Sequence, residues 1–94
     1  MEDRLKQVRV YISGRVQGVG FRWWVQKQAQ SLKLTGWIKN LDDGRVEVLA
    51  QGDKGNLDIL LKSLNHGPRF SEVKKFDISW EKEKNEFEGF KILH

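Results

Sequence analysis

Between Ile12 and Phe21 the apolar period of this chain changes from that of a strand to that of a helix, and a glycine-rich run stands at the change. Before it, Val8, Val10 and Ile12 alternate with Arg9, Tyr11 and Ser13, the pattern of a half-buried strand. After it, Phe21, Val25, Ala29 and Leu32 make one stripe of a helix of roughly three turns. Trp24 and Gln28 fall at the margin of that stripe, and Trp23, Gln26, Lys27 and Gln30 fall toward solvent. A strand that leads into an amphipathic helix has to bury both apolar faces in one core, so the chain is committed to a layered α/β arrangement.

The remaining pattern extends this commitment. Residues 35–40 and 45–51 read as a hairpin, because Leu41-Asp42-Asp43-Gly44 sets the turn-forming Asp-Gly pair between two extended segments. Val46, Val48 and Ala50, with Ile38 opposite, supply its inward face. Gly52-Asp53 opens a second helix with Leu57, Leu60, Leu61 and Leu64 on its apolar side and Asp53 or Asn56 as its cap. Asn65-His66-Gly67-Pro68 stops it. Val73 to Glu81 reads as a strand with Phe76, Ile78 and Trp80 on one face, the charged run from Glu81 to Glu86 as a solvated connection, and Phe87 to Leu93 as a short last strand interrupted by Gly89.

The order is strand, helix, strand, strand, helix, strand, with a short extra C-terminal strand. The two helices are too short to bury each other, but both can cover one face of a four-stranded antiparallel sheet. The expected fold is therefore α+β: a ferredoxin-like α/β plait, βαββαβ, as a single domain over residues 1–94 with strand order 4-1-3-2.

Composition narrows the chemistry. With no cysteine there is neither a disulfide framework nor a thiolate metal site, and His66 and His94 are too few and too far apart in sequence to suggest zinc without carboxylate help. No stretch has the length of apolar sequence needed to cross a membrane, and residues 1–6 lack the apolar run of a signal peptide; the expectation is a cytoplasmic monomer. The net charge is +4, and residues 1–52 carry 9 Lys/Arg against 5 Asp/Glu while residues 53–94 carry 8 of each. The surplus lies in the half with the glycine run, where it draws anions.

That run, Gly14-Arg15-Val16-Gln17-Gly18-Val19-Gly20-Phe21-Arg22, describes an anion site. The glycines let a ligand approach the backbone closely, so the amides of Gln17, Gly18, Val19, Gly20, Phe21 and Arg22 can converge on phosphate oxygens. Arg22 falls in the first helical turn, where its guanidinium can give two parallel hydrogen bonds to a phosphoryl group. A cation there is unfavourable against the positive helix end until an anion arrives. The competing reading is a solvated arginine beside a tight turn. The run matches neither familiar nucleotide fingerprint: it lacks the third glycine of a dinucleotide loop at the required offset, and no Gly-Lys-Ser/Thr follows. Asp42 and Asp43 read as turn formers before a metal pair, and Trp37 and Trp80 as packing residues, while Trp23 stands where it can line the approach to the anion site.

Gly14 to Arg22 resembles the first signature of the acylphosphatases, and Gly36-Trp37-Ile38-Lys39-Asn40-Leu41-Asp42-Asp43-Gly44-Arg45-Val46-Glu47 resembles the second; the resemblance runs from about Val8 to Leu93. It implies an α/β plait and hydrolysis of the carboxyl-phosphate bond of small acyl phosphates without a metal or cofactor. It also implies that the loop amides and Arg22 hold the phosphoryl group while Asn40 orients water, with inorganic phosphate as product and inhibitor. On local sequence alone, Asn40 reads more readily as a hairpin residue making backbone contacts, and it is the resemblance that reverses this. Lys33 stands where the family commonly has glycine, so the first helix is expected either to end differently or to bear a cost of about 1 kcal/mol. The alternative function is a noncatalytic phosphate- or RNA-binding module, or a domain of a larger carbamoyl-transfer protein. RNA readers of this shape present aromatics from the central strands. Here Tyr11 faces the open side, but beside it stand Glu47, Leu49 and Gln51, so no nucleic-acid partner is expected.

Overall fold

The computed structural model describes residues 5–82 and 87–94, so most of the charged run after Glu81 lies outside the described residues. Seven elements follow in order: β1 (Leu5–Arg15), α1 (Phe21–Ser31), β2 (Thr35–Asn40), β3 (Val46–Asp53), α2 (Lys54–His66), β4 (Glu72–Glu81) and β5 (Phe90–Leu93). The sheet order is β4-β1-β3-β2-β5. The four longer strands pair antiparallel in the 4-1-3-2 order of a ferredoxin-like plait. The short last strand adds to β2 in the parallel sense, with Ile38 opposite Ile92 and Lys39 opposite Leu93.

Both helices lie on one face. Val8, Val10 and Ile12 from β1, Val46, Val48 and Ala50 from β3, and Ile38 from β2 are fully buried beneath Phe21, Val25 and Ala29 of α1 and Leu57, Leu60 and Leu64 of α2. Helix α1 rests over β2 and β5, and α2 over β3 and β4. Phe76, Ile78 and Trp80 pair with Ile12, Val10 and Val8 and so share the helix face. On an edge strand that the helices only partly reach, Ile78 and Trp80 stay exposed, and Lys54 at the start of α2 overlies the Trp80 ring at 5.3 Å.

The other face departs from a simple solvated surface. Glu47, Leu49 and Gln51 are buried even though no helix covers them. Arg9 lies across the strands, paired with Glu47 and, at 2.7 Å, with Glu81, while the Tyr11 hydroxyl donates to Glu47 at 3.1 Å. The two carboxylates raise the Arg9 pKa further above its ordinary value, Glu81 contributing most through its hydrogen bond. Cations overlie two aromatic rings of this face: Arg45 over Tyr11 at 4.8 Å, and Lys39 over Trp37 at 5.3 Å. Long side chains thus form the lid that a second layer would otherwise provide.

At its C-terminus α1 keeps the glycine-type ending with lysine in place. Lys33 adopts φ 57°, its N–H donates to Gln30 at 3.0 Å, and that of Leu34 donates to Ala29 at 2.9 Å, the paired bonds of a Schellman close. The helix stops where the pattern places it and bears the strain.

Candidate active site

β1 does not end at Gly14, as its alternation suggests, but passes through a bulge between Ser13 and Gly14 and continues to Arg15. A side chain at Gly14 is impossible: a Cβ there would stand 2.1 Å from the Glu72 carbonyl oxygen. The bulge turns the strand toward α1, and Gly18 (φ 78°) and Gly20 (φ 75°) complete the turn in left-handed conformations with open space where side chains would be. Gly20 is the residue before the helix. No side chain caps it, and the first turn contains no acidic residue. The Trp24 N–H makes the first helical bond, to the Gly20 carbonyl at 3.0 Å. The amides before it are the orphan donors of a helix start, and their positive end faces the loop.

The loop is braced from the hairpin. The Gln17 side-chain amide donates to the carbonyls of Leu41 and Arg45, both at 2.9 Å, which bridges the glycine run to the turn after Asn40. The turn itself is internally satisfied. The Leu41 N–H donates to the Arg45 carbonyl at 2.8 Å and the Gly44 N–H to the Leu41 carbonyl at 3.1 Å, and the Asp43 carboxylate accepts from both the Arg45 amide and its guanidinium. Those contacts, the backbone one foremost, hold the Asp43 carboxyl below its usual range, so it is engaged as a turn former. Among the described residues there is no group of three or more His, Asp or Glu placed to hold a metal ion.

Gly18, Gly20, Phe21, Arg22 and Asn40 line one cavity of about 230 Å³. Of the remaining candidates, Val19 packs partly against the core and Gln17 turns its side chain to the hairpin, so only their backbone amides are available to a ligand. Arg22 is held loosely by one long bond, 3.4 Å from its Nη1 to the Leu93 carbonyl. Asn40, the last residue of β2, carries the feature that most needs explaining. Its Oδ1 is buried and accepts no hydrogen bond, which costs about 1–3 kcal/mol unless a donor from a ligand or water meets it.

Two further residues reach the cavity that the sequence pattern does not place there: Ile92 and His94. The parallel pairing of β5 explains both. The pairing ends at Lys39 with Leu93, and the residues that follow them, Asn40 and His94, line the same cavity. Trp23 lines the same cavity and is 60% exposed.

An uncapped helix start, a left-handed glycine loop, an arginine and an unpaired buried amide oxygen together suit an anion on an α/β plait. The acylphosphatase family profile matches residues 8–92. The acylphosphatase of Acaryochloris marina is 45% identical over 86 residues, covering 92% of this chain and 91% of that protein. That of Bacillus licheniformis is 45% identical over 88 residues, covering 94% and 98%. The crystal structure of acylphosphatase from Bacillus subtilis superimposes with a TM-score of 0.91 at 41% identity, over 96% of this chain and 99% of that one. The chain belongs to the acylphosphatase family.

Proposed function

We propose that this acylphosphatase hydrolyses small acyl phosphates, R–CO–O–PO3(2−), by attack of water at phosphorus in line with the bond to the carboxylate. The observation that carries the reading is the buried, unpaired Oδ1 of Asn40 across one cavity from Arg22 and the glycine-loop amides. Phosphoryl oxygens seat on the amides of Gln17 to Arg22, and the Arg22 guanidinium, whose bond to Leu93 is weak, swings onto two of them. A water donating to Asn40 Oδ1 is then fixed behind phosphorus, which needs positioning and charge stabilisation more than covalent chemistry.

Attack forms the new P–O bond as the bridging P–O bond breaks, and the carboxylate leaves with its electron pair. The water proton passes to a phosphoryl oxygen, so the products are RCOO⁻ and H2PO4⁻. A carboxylate is a good leaving group, so no acid is needed at the departing oxygen. The positive field comes from Arg22 and the backbone, and the chemistry proceeds without a cofactor. The reading extends to a single acylphosphatase-like domain over residues 1–94, acting as a cytoplasmic monomer, with inorganic phosphate as product and inhibitor. A nucleic-acid role has less support, since cations of the same chain already overlie Tyr11 and Trp37 on the open face.

Phosphate release from benzoyl phosphate with EDTA present tests this. The expected result is turnover, unaffected by the chelator and competitively inhibited by inorganic phosphate. Salt-sensitive RNA association with no phosphate release overturns it.

A further inference from the structure

In-line attack needs two groups from separate elements at a fixed separation: the loop amides that seat the phosphoryl group, and the Asn40 Oδ1 that meets the water. The amides hang on Gly18 and Gly20, whose backbones have little preference of their own, and Asn40 stands at the last pair of the β2–β3 ladder, opposite Val46. Nothing in either segment alone sets the distance between them.

One side chain spans the gap. The Gln17 Nε2 donates to the carbonyls of Leu41 and Arg45, both at 2.9 Å, and so grips the residue after Asn40 and the residue before Val46. Each carbonyl already accepts one bond inside the turn, from Gly44 at 3.1 Å and from Leu41 at 2.8 Å, and Gln17 takes the second lone pair of each. Its near end is anchored by the neighbouring Val16, which is fully buried. The far end is held too, because the Arg45 guanidinium is bonded to Asp43 at 2.8 Å and overlies the Tyr11 ring at 4.8 Å. The Gln17 side chain does not line the cavity, so it acts on the reaction only through the groups that do.

We propose that the Gln17 side chain is a positioning residue that fixes the distance from the phosphate cradle to Asn40. The proposal rests on the acyl-phosphate reading above and deepens it. Without the brace, phosphate still finds the amides and Arg22, but the water on Asn40 is no longer in line with the bond that breaks. A misplacement of this kind lowers rate more than binding.

The test is steady-state hydrolysis of benzoyl phosphate by the wild type, Gln17→Met, Gln17→Glu, Asn40→Ala and the double variant Gln17→Met/Asn40→Ala. Gln17→Met keeps the length of the side chain and loses both donors: kcat is expected to fall about 30-fold, with the inhibition constant for inorganic phosphate within about threefold of wild type. In the Asn40→Ala background the same change is expected to cost about threefold or less, because it acts through Asn40. Gln17→Glu is expected to match Gln17→Met at neutral pH. Relative to the wild type at each pH, it regains activity as pH falls toward about 4.3, the ordinary glutamate value, since a protonated carboxyl has one O–H to donate and a carboxylate has none. Gln17→Met shows no such rise. A loss that came only from a weakened fold would persist in the Asn40→Ala background and at low pH. That result, or wild-type kcat in Gln17→Met, overturns the positioning role while an active wild type leaves the acyl-phosphate reading intact. A wild type that releases no phosphate overturns that reading and the positioning role with it.

Discussion

Helix α2 begins at Asp53, whose carboxylate accepts from the Asn56 N–H at 3.3 Å, whereas α1 begins at Gly20 with φ 75° and no side-chain cap; neither helix has an acid in its first turn. Both starts need the same thing, acceptors for orphan N–H groups and negative charge for the positive end of the helix. At α2 the chain supplies them. Both first turns carry a cation, but Lys54 of α2 is paired with Asp58 at 3.0 Å and follows the Asp53 cap, whereas at α1 Arg22 adds like charge to an uncapped start at a cost of about 0.3–1 kcal/mol. The difference fits the proposed role of the α1 start as the seat of the phosphoryl group: there the chain forgoes a cap, and at α2 it keeps one.

Breaking the α1 side of the comparison produces the largest effect. Arg22→Ala and Asn40→Ala are each expected to lower kcat/KM for benzoyl phosphate by at least about 10²-fold, the scale for losing one preorganised group at developing charge. Melting temperatures stay near wild type, because neither side chain is tied into the core. Steady-state kinetics beside thermal unfolding checks both, and unaltered hydrolysis by either variant removes that residue from the mechanism.

A smaller effect is expected from Gly20→Ala. The added methyl meets open space, so any loss comes from the backbone: a non-glycine residue at φ 75° costs about 1–2 kcal/mol and pulls the loop amides off their aim. Activity falls about tenfold, with weaker inhibition by phosphate.

The mirror change, Asp53→Ala, uncaps α2. It is expected to lower unfolding free energy by about 1 kcal/mol with kcat/KM unchanged, read by urea denaturation and the same assay. If removing the α2 cap reduced activity as Gly20→Ala does, the contrast between the two helix starts would fail. At the far end of α1, Lys33→Gly relieves φ 57° and is expected to stabilise the fold by up to about 1 kcal/mol without touching catalysis.

Much of this contrast is legible in the sequence because it is local. The change of apolar period around Gly14, the Asp-Gly hairpin and the Asp53 cap are written in neighbouring residues, and the elements follow them. The glycine run and Arg22 are legible for the same reason. Asn40 is legible only through the second signature, since its local setting at a hairpin end is ambiguous; the fold sets it in one cavity with the loop.

Three features depend on distant partners. The seat of β5 is set by parallel pairing with β2, which no local alternation encodes, and with it the arrival of Ile92 and His94 in the cavity. Burial of Glu47, Leu49 and Gln51 follows from Arg9 and the aromatic side chains reaching over them from adjacent strands, so strand alternation alone assigns that face to solvent. The Gln17 brace joins a loop to a turn 24 and 28 residues away. In a glycine-rich loop a glutamine that ties the loop to a distant turn reads the same as one that faces water.

The most direct test of the central claim is an amide-resolved NMR titration with inorganic phosphate. The amides of Gln17 to Arg22 and the side-chain amide of Asn40 are expected to shift along one saturable curve that disappears in Arg22→Ala, while the amides of Lys54 to Leu57 at the start of α2 stay still. Shifts of equal size at both helix starts, or none in the glycine loop, contradict the account.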